Sequence, residues 1–425
     1  MTLPGSPFLS RRNGALELDG LALQALAERF GTPLYVYSRA AILDALSRYQ
    51  RALAGRRHLL CYAMKANSNL AVLQTFVAAG CGFDIVSGGE LERVLAAGGR
   101  ADRVVFSGVG KTRAEMRQAL QAGVRCFNVE SESELRRLSE VATGADATAT
   151  VSLRVNPDVD AGTHPYISTG LRDNKFGIAH DRAVAAYRLA ASLPGLRVAG
   201  IDCHIGSQIT QVAPFLDALD RILDLVEEVE RAGIEVHHID LGGGLGITYT
   251  DESPPHADEL VAQMLARMDA RGHGRRELLL EPGRSLVGNA GVLLTEVLYL
   301  KPGPTKNFCI VDAAMNDLVR PTLYDAWMAI EPLQQRASAT QRWDVVGPVC
   351  ESGDWLGRER ELALAEGDFL AVLSAGAYGM AMASNYNTRP RPAEVMIAGG
   401  EATLIRTRES VGALFSNERL LVSGP

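Results

Sequence analysis

Short apolar runs alternate with amphipathic stretches along most of this chain. Eight runs of apolar, β-branched and aromatic residues stop at a polar or small residue. They are LLCYAMK (59–65), GFDIV (82–86), RVVFS (103–107), RCFNV (125–129), TVSLRVN (150–156), RVAGIDCH (197–204), VHHIDL (236–241) and ELLLE (277–281). Each has the length and character of a strand buried on both faces. Between them, segments such as NLAVLQTFVAAG, GELERVLAAGG and SESELRRLSEVA show helical periodicity, and two of these end on glycine as helices often do. Eight strand–helix units predict an α/β fold, a closed (β/α)8 TIM-like barrel rather than an open doubly wound sheet.

The pattern changes after about residue 300. KPGPTK is a break, and NFCIVDAAM, WDVVGPVCE, DFLAVLSAGAYG and AEVMIAGGEATLIRT read as strands joined by Gly, Pro and Asp turns. ALELDG near the N-terminus reads as a strand and turn, so both chain ends are expected to share one sheet. The expected division is a barrel over 36–299 and a second, C-terminal β-rich domain made of 300–425 with 1–35. A chain of 425 residues accommodates two such domains.

Composition narrows the function. No run of about 20 apolar residues is free of charge, and the first residues lack the basic start and apolar core of a signal peptide. A net charge of −7 disfavours nucleic acid or an anionic membrane as partner. The cysteines, Cys61, Cys81, Cys126, Cys203, Cys309 and Cys350, form no C-x-x-C pair, so no structural zinc site is expected. They read as reduced thiols of a cytoplasmic protein.

Barrels carry their chemistry at the C-terminal ends of the strands. Read there in order are Lys65, Asp84, Ser107, Asn128, Arg154, His204, the glycines after Leu241, and Glu281. A lysine ending a buried strand must snorkel, pair with an acid or lose its charge, and an uncharged lysine can condense with an aldehyde. His204 precedes Ser207 in DCHIGSQ, and its flat ring suits either a structural role or packing against a planar ligand. LGGGLG (241–246) lets backbone N–H groups approach an anion, although a plain turn looks the same. It does not match the dinucleotide fingerprint. In EPGR (281–284), Glu281 calls for a cationic partner and Arg284 offers charge to a phosphate or carboxylate. Arg320 and Tyr324 share a face if RPTLY is helical. Cys350 and Glu351 are either an acid–base pair or a buried thiol beside a surface acid. A metal-dependent hydrolase would need His and acid ligands clustered at several strand ends, and the sequence shows no such cluster, so no metal is expected.

Taken together, YAMKAN, FDIVSGGEL, HIGSQ, LGGGLG, EPGR, DLVRP with its following Tyr, CESGD and GAYG stand in the order found in the diaminopimelate decarboxylases. The chain resembles that family from about residue 30 to about residue 395, with VNPDVDAGTHPYISTGLRDNKFGI (155–178) resembling the diaminopimelate branch in particular. Ala314 departs from the resemblance, since the family usually has glycine there. The resemblance implies an alanine-racemase-like barrel with a β domain, pyridoxal 5'-phosphate as cofactor, and conversion of meso-2,6-diaminopimelate to L-lysine and CO2. It implies that Lys65 carries the cofactor near Asp84, that His204 stacks on its ring, and that Glu281 pairs with the ring nitrogen. Ser207, Gly242, Gly243, Gly244, Pro282, Gly283, Arg284 and Tyr378 are then cofactor neighbours. Arg284, Arg320, Tyr324, Glu351 and Tyr378 bind substrate, and Cys350, from the partner subunit of a homodimer with shared sites, donates a proton. A glutamate at the ring nitrogen favours a decarboxylase over a racemase. The alternatives are a decarboxylase of another basic amino acid (ornithine, arginine or lysine) and a non-catalytic regulator on the same fold.

Overall fold

The computed structural model describes residues 3–160 and 174–421. The VNPDVDAGTHPYISTGLRDNKFGI segment therefore lies partly outside the described residues, at 161–173. Contacts divide the chain into two units: Leu43–Thr248 with Glu252–Leu286, and Met1–Ile42 with Tyr249–Asp251 and Val287–Pro425.

The first unit is a closed barrel of eight parallel strands. In order they are His58–Ala63, Gly82–Ile85, Val104–Phe106, Cys126–Val129, Ala149–Asn156, Leu196–Asp202, His238–Asp240 and Glu277–Leu280. The last strand pairs with the first through Leu278–His58 to Leu280–Leu60, which closes the ring. Each strand coincides with a predicted run. Leu59, Cys61, Val105, Cys126 and Leu279 pack together within it. Two residues past the first strand, Lys65 lies in a single 3-10 turn, Met64–Ala66, rather than in the strand itself. The turn starts there because the chain must leave the sheet for the helix Leu70–Ala78.

The helices start where polar caps allow. Asn69, Ser87, Thr112 and Ser131 each accept from a backbone N–H in the first turn of the helix that follows. Thr112 and Glu115 complete a reciprocal capping box. These caps fix where each strand–helix loop ends, and so where the rim side chains stand.

The second unit holds a nine-stranded sheet, with Gly291–Lys301 at its centre. That strand pairs antiparallel with Leu34–Ser38, Phe369–Val372 and Phe308–Val311, its register against the last shifting between Val297 and Tyr299. It runs across the boundary expected at residue 299. Leu34–Ser38 also pairs parallel with Ala393–Ala398, so the N-terminal part of the chain does join C-terminal strands. The joining strand is not ALELDG, however. Ala15–Leu18 lies in a separate three-stranded sheet with Leu9–Arg12 and Leu21–Ala22. Leu34–Ser38 is buried at every position and so takes the sheet interior, whereas Ala15–Leu18 alternates between half-buried and buried. Ala314 is not among the residues with left-handed backbone, so alanine fits where the resemblance led us to expect glycine.

Candidate active site

At the mouth of the barrel, Lys65 Nζ donates to Asp84 Oδ2 at 2.5 Å. The acid is fully buried while the lysine side chain stays 38% exposed, so the ammonium stands at the solvent edge of the pair. Asn128 bridges to both sides, donating to Ser107 Oγ at 3.1 Å and to Glu281 Oε1 at 3.3 Å. Arg154 donates to Glu130 at 3.2 Å, approaches Asp202 at 4.0 Å, and carries the Phe176 ring 4.9 Å from its guanidinium carbon. Glu130 also accepts from the backbone N–H groups of Gly108 and Gly177, each at 3.0 Å.

Lys111 is buried as well. Its ammonium donates to Gly108 O at 2.8 Å, Asn128 O at 2.7 Å and Glu134 Oε1 at 2.8 Å, which ties together the loops after the third and fourth strands. A buried ammonium is tolerated only with partners of this kind.

The sixth, seventh and eighth strands deliver the rest. His204 Nδ1 accepts from Gly243 N–H at 3.2 Å, which leaves Nε2 as the protonated nitrogen of a neutral ring. Burial, followed by the charges of Arg154 and Lys65, pushes its pKa well below the ordinary value. The glycines permit close approach: a Cβ on Gly242 would stand 2.6 Å from His204 Nδ1, and one on Gly244 would stand 2.6 Å from Gly206 O. A Cβ on Gly243 would collide with the Glu281 carbonyl. Ser207 Oγ accepts from the Arg284 guanidinium at 3.0 and 3.2 Å.

Behind these groups lie three buried carboxyls, Asp202, Asp240 and Glu281, whose oxygens fall within 4.8 Å of one another. Burial and then mutual repulsion push Glu281 and Asp202 well above the usual carboxylate range, and Asp240, also raised by burial, up to about 7. Asp202 Oδ1, Asp240 Oδ2, Asp84 Oδ1 and Asn128 Oδ1 are buried without a hydrogen-bond partner.

The structure thus brings Lys65, Asp84, Ser107, Asn128, Arg154, His204, Ser207, Gly242, Gly243, Gly244, Glu281 and Arg284 to one rim. Sequence reading missed Asp202, Asp240, Glu130 and Lys111. The signal present was an acid one or two residues before the end of two apolar runs, GIDCH and HHIDL.

In the second unit, Arg320–Tyr324 is a short helix, with the Arg320 guanidinium 5.4 Å from the Tyr324 ring and 5.5 Å from that of Tyr249. Cys350 is exposed, with its N–H on Asn387 Oδ1 at 3.1 Å, so it is no buried thiol. Glu351 accepts from Tyr386 Oη at 2.5 Å. Tyr378 has left-handed backbone, φ 55°.

Residues 39–288 match the model of the pyridoxal-dependent decarboxylases, pyridoxal binding domain. The chain belongs to that decarboxylase family. The diaminopimelate decarboxylase of Pseudomonas aeruginosa is 59% identical over 413 residues, covering 97% of this chain and 99% of the relative. Among solved structures, the diaminopimelate decarboxylase of Helicobacter pylori complexed with L-lysine is 39% identical with TM-score 0.89, covering 93% of this chain and 99% of that one. The M. jannaschii diaminopimelate decarboxylase in co-complex with L-lysine is 38% identical with TM-score 0.94, covering 99% of each chain.

The rim fits pyridoxal phosphate, the cofactor of this decarboxylase family. Its cationic ring nitrogen suits buried carboxyl oxygens that lack partners, and its phosphate suits a glycine cradle that admits no Cβ.

Proposed function

We propose that the protein decarboxylates meso-2,6-diaminopimelate to L-lysine and CO2 with pyridoxal phosphate, the step that yields lysine in its biosynthesis. The observation that carries this reading is near full-length identity of 50–59% to diaminopimelate decarboxylases of several bacteria. The L-lysine bound to the Helicobacter relative is the expected product.

When bound, the cofactor supplies an electron sink for the carbon that loses CO2. Lys65 carries it covalently, and Asp84 holds the lysine amine in place. His204 offers a neutral flat ring to the cofactor face. Glu281, braced by Asn128, holds the proton on the ring nitrogen. Ser207, Gly242, Gly243, Gly244 and the backbone from Glu281 through Pro282 and Gly283 to Arg284 surround the phosphate, with Tyr378. Arg284, Arg320 and Tyr324 take the distal carboxylate, and Glu351 takes the distal ammonium.

Cys350 donates the proton that replaces CO2. The exposed thiol suits that role: burial raises the thiols of Cys61, Cys126 and Cys203, and pushes those of Cys81 and Cys309 up to about 12. Cys350 and Glu351 act in the site of a partner chain, so the active form is a homodimer with shared sites. Among the described residues no helix is long and apolar enough to cross a membrane. The free cysteines suit a reducing cytoplasm.

Borohydride reduction of the cofactor-loaded protein, followed by peptide mapping, should label Lys65. Incubation with meso-diaminopimelate should release CO2 and lysine. Label on another lysine would sink the Lys65 assignment, and comparable efficiency on lysine or ornithine would favour the other basic-amino-acid decarboxylases.

A further inference from the structure

The carboxyl groups at the barrel mouth outnumber the cations that can balance them. Glu130, Asp202, Asp240 and Glu281 are all buried, and Arg154 is the guanidinium among them. Arg154 is already engaged by Glu130 at 3.2 Å and stands 4.0 Å from Asp202. Lys65 is held by Asp84, and Lys111 by Glu134. The Arg284 guanidinium at the same rim donates to Ser207 Oγ at 3.0 and 3.2 Å. His204 is neutral, and burial raises the thiols of Cys61 and Cys203, which keeps them protonated. Two like charges a few ångströms apart in a dry site cannot both persist without a counter-charge.

The backbone holds Asp240 and Glu281 against each other. Asp240 Oδ1 accepts from Gly242 N–H at 2.9 Å, and Gly242 O accepts from Glu281 N–H at 2.7 Å. Side-chain oxygens of Asp240, Glu281 and Asp202 fall within 4.8 Å of one another. Buried carboxyls this close to one another need a proton on one of them.

We propose that Asp240 is a positioning residue for Glu281: the two carboxyls share one proton in the cofactor-free protein and give it up when the ring nitrogen is set against Glu281. The O–H bond opens and its electron pair stays on the carboxylate. The proton passes to the ring nitrogen if that arrives unprotonated, or to water if it arrives protonated. Asp240 then remains as a second negative charge behind Glu281, which strengthens the hold on the ring proton. This rests on the pyridoxal reading for its second half, whereas the shared proton belongs to the protein alone.

The test has a cofactor-free arm and a cofactor arm. The infrared spectrum of the cofactor-free wild type should show the C=O stretch of a protonated carboxyl near neutral pH, and Asp240→Asn should lower its intensity by one carboxyl. A wild-type spectrum without that band, or a variant that keeps it unchanged, overturns the proposal without bearing on cofactor use. Next, calorimetric titration with pyridoxal phosphate, in buffers of different ionisation enthalpy, counts protons exchanged on binding. Asp240→Asn should take up about one proton more per chain, or release about one fewer, than wild type. Asp240→Glu should restore the wild-type count. A purely structural role would weaken binding and leave the count unchanged, and that result also overturns the proposal. Should the asparagine variant not fold, a fall of the wild-type infrared band by one carboxyl on cofactor binding reads the same proton, and an unchanged band in the loaded protein refutes the release. Failure of borohydride to trap any cofactor on the wild type would instead strike at the pyridoxal reading.

Discussion

Glu281 sits one residue past the eighth strand, and Asn128 Nδ2 donates to its Oε1 at 3.3 Å. Its burial raises its proton affinity, followed by the charges of Asp240, Asp84 and Asp202. A carboxyl of this kind binds a cationic nitrogen far more strongly than one in water, because the cation relieves repulsion within the cluster. Glu281→Gln keeps an acceptor for Asn128 but removes the charge that retains the ring proton. The expected result is a protein that still binds cofactor, seen in its absorbance, with turnover lower by about 100-fold or more, nearly 3 kcal/mol of transition-state stabilisation. Near-normal turnover in the loaded variant would refute the electron-sink role.

At the scale of elements, the barrel was readable because a strand buried on both faces leaves a continuous apolar run. Lys65, His204 and Glu281 were readable for the complementary reason: each closes such a run with a polar group. Asp202 and Asp240 escaped notice because each is the last residue of its strand, with apolar neighbours before it and the chemically louder Cys-His or Gly-Gly-Gly after it. Glu130 and Lys111 lie in loops, where a charge ordinarily means solvent, and only the fold shows them buried. ALELDG was a strand as read, but pairing partners are long-range facts that a local pattern does not contain. The helix starts carry their own test. Thr112 Oγ1 accepts from Glu115 N–H at 3.2 Å, and Glu115 accepts at 2.9 Å from the N–H of Gly88, the first residue of the helix Gly88–Ala96. Thr112→Ala should lower stability by about 1 kcal/mol in a denaturant titration and leave kcat unchanged. A loss of activity at full cofactor loading would show that this cap also governs the rim.

On the scale of the whole molecule, the residues proposed for the site divide between the two units. Lys65, His204 and Glu281 belong to the barrel unit, whereas Arg320, Tyr324, Cys350 and Glu351 belong to the other. If sites are shared between subunits as proposed, a chain lacking its lysine and a chain lacking its thiol fail for complementary reasons. Lys65→Ala and Cys350→Ala should each be nearly inactive alone. Mixing them under conditions that exchange subunits should restore activity, because one of the two sites in each hybrid dimer carries both intact residues. With equal mixing about half the dimers are hybrids, each with one working site, so recovery should approach about a quarter of wild type. The Arg320 helix gives an internal control on what the second unit supplies. Arg320→Ala should lower activity on diaminopimelate and narrow its advantage over lysine, since a site built for a distal carboxylate rejects an analogue lacking it by roughly 10⁴-fold. Subunit exchange verified by mass, with no return of activity, would mean that each site is completed within one chain.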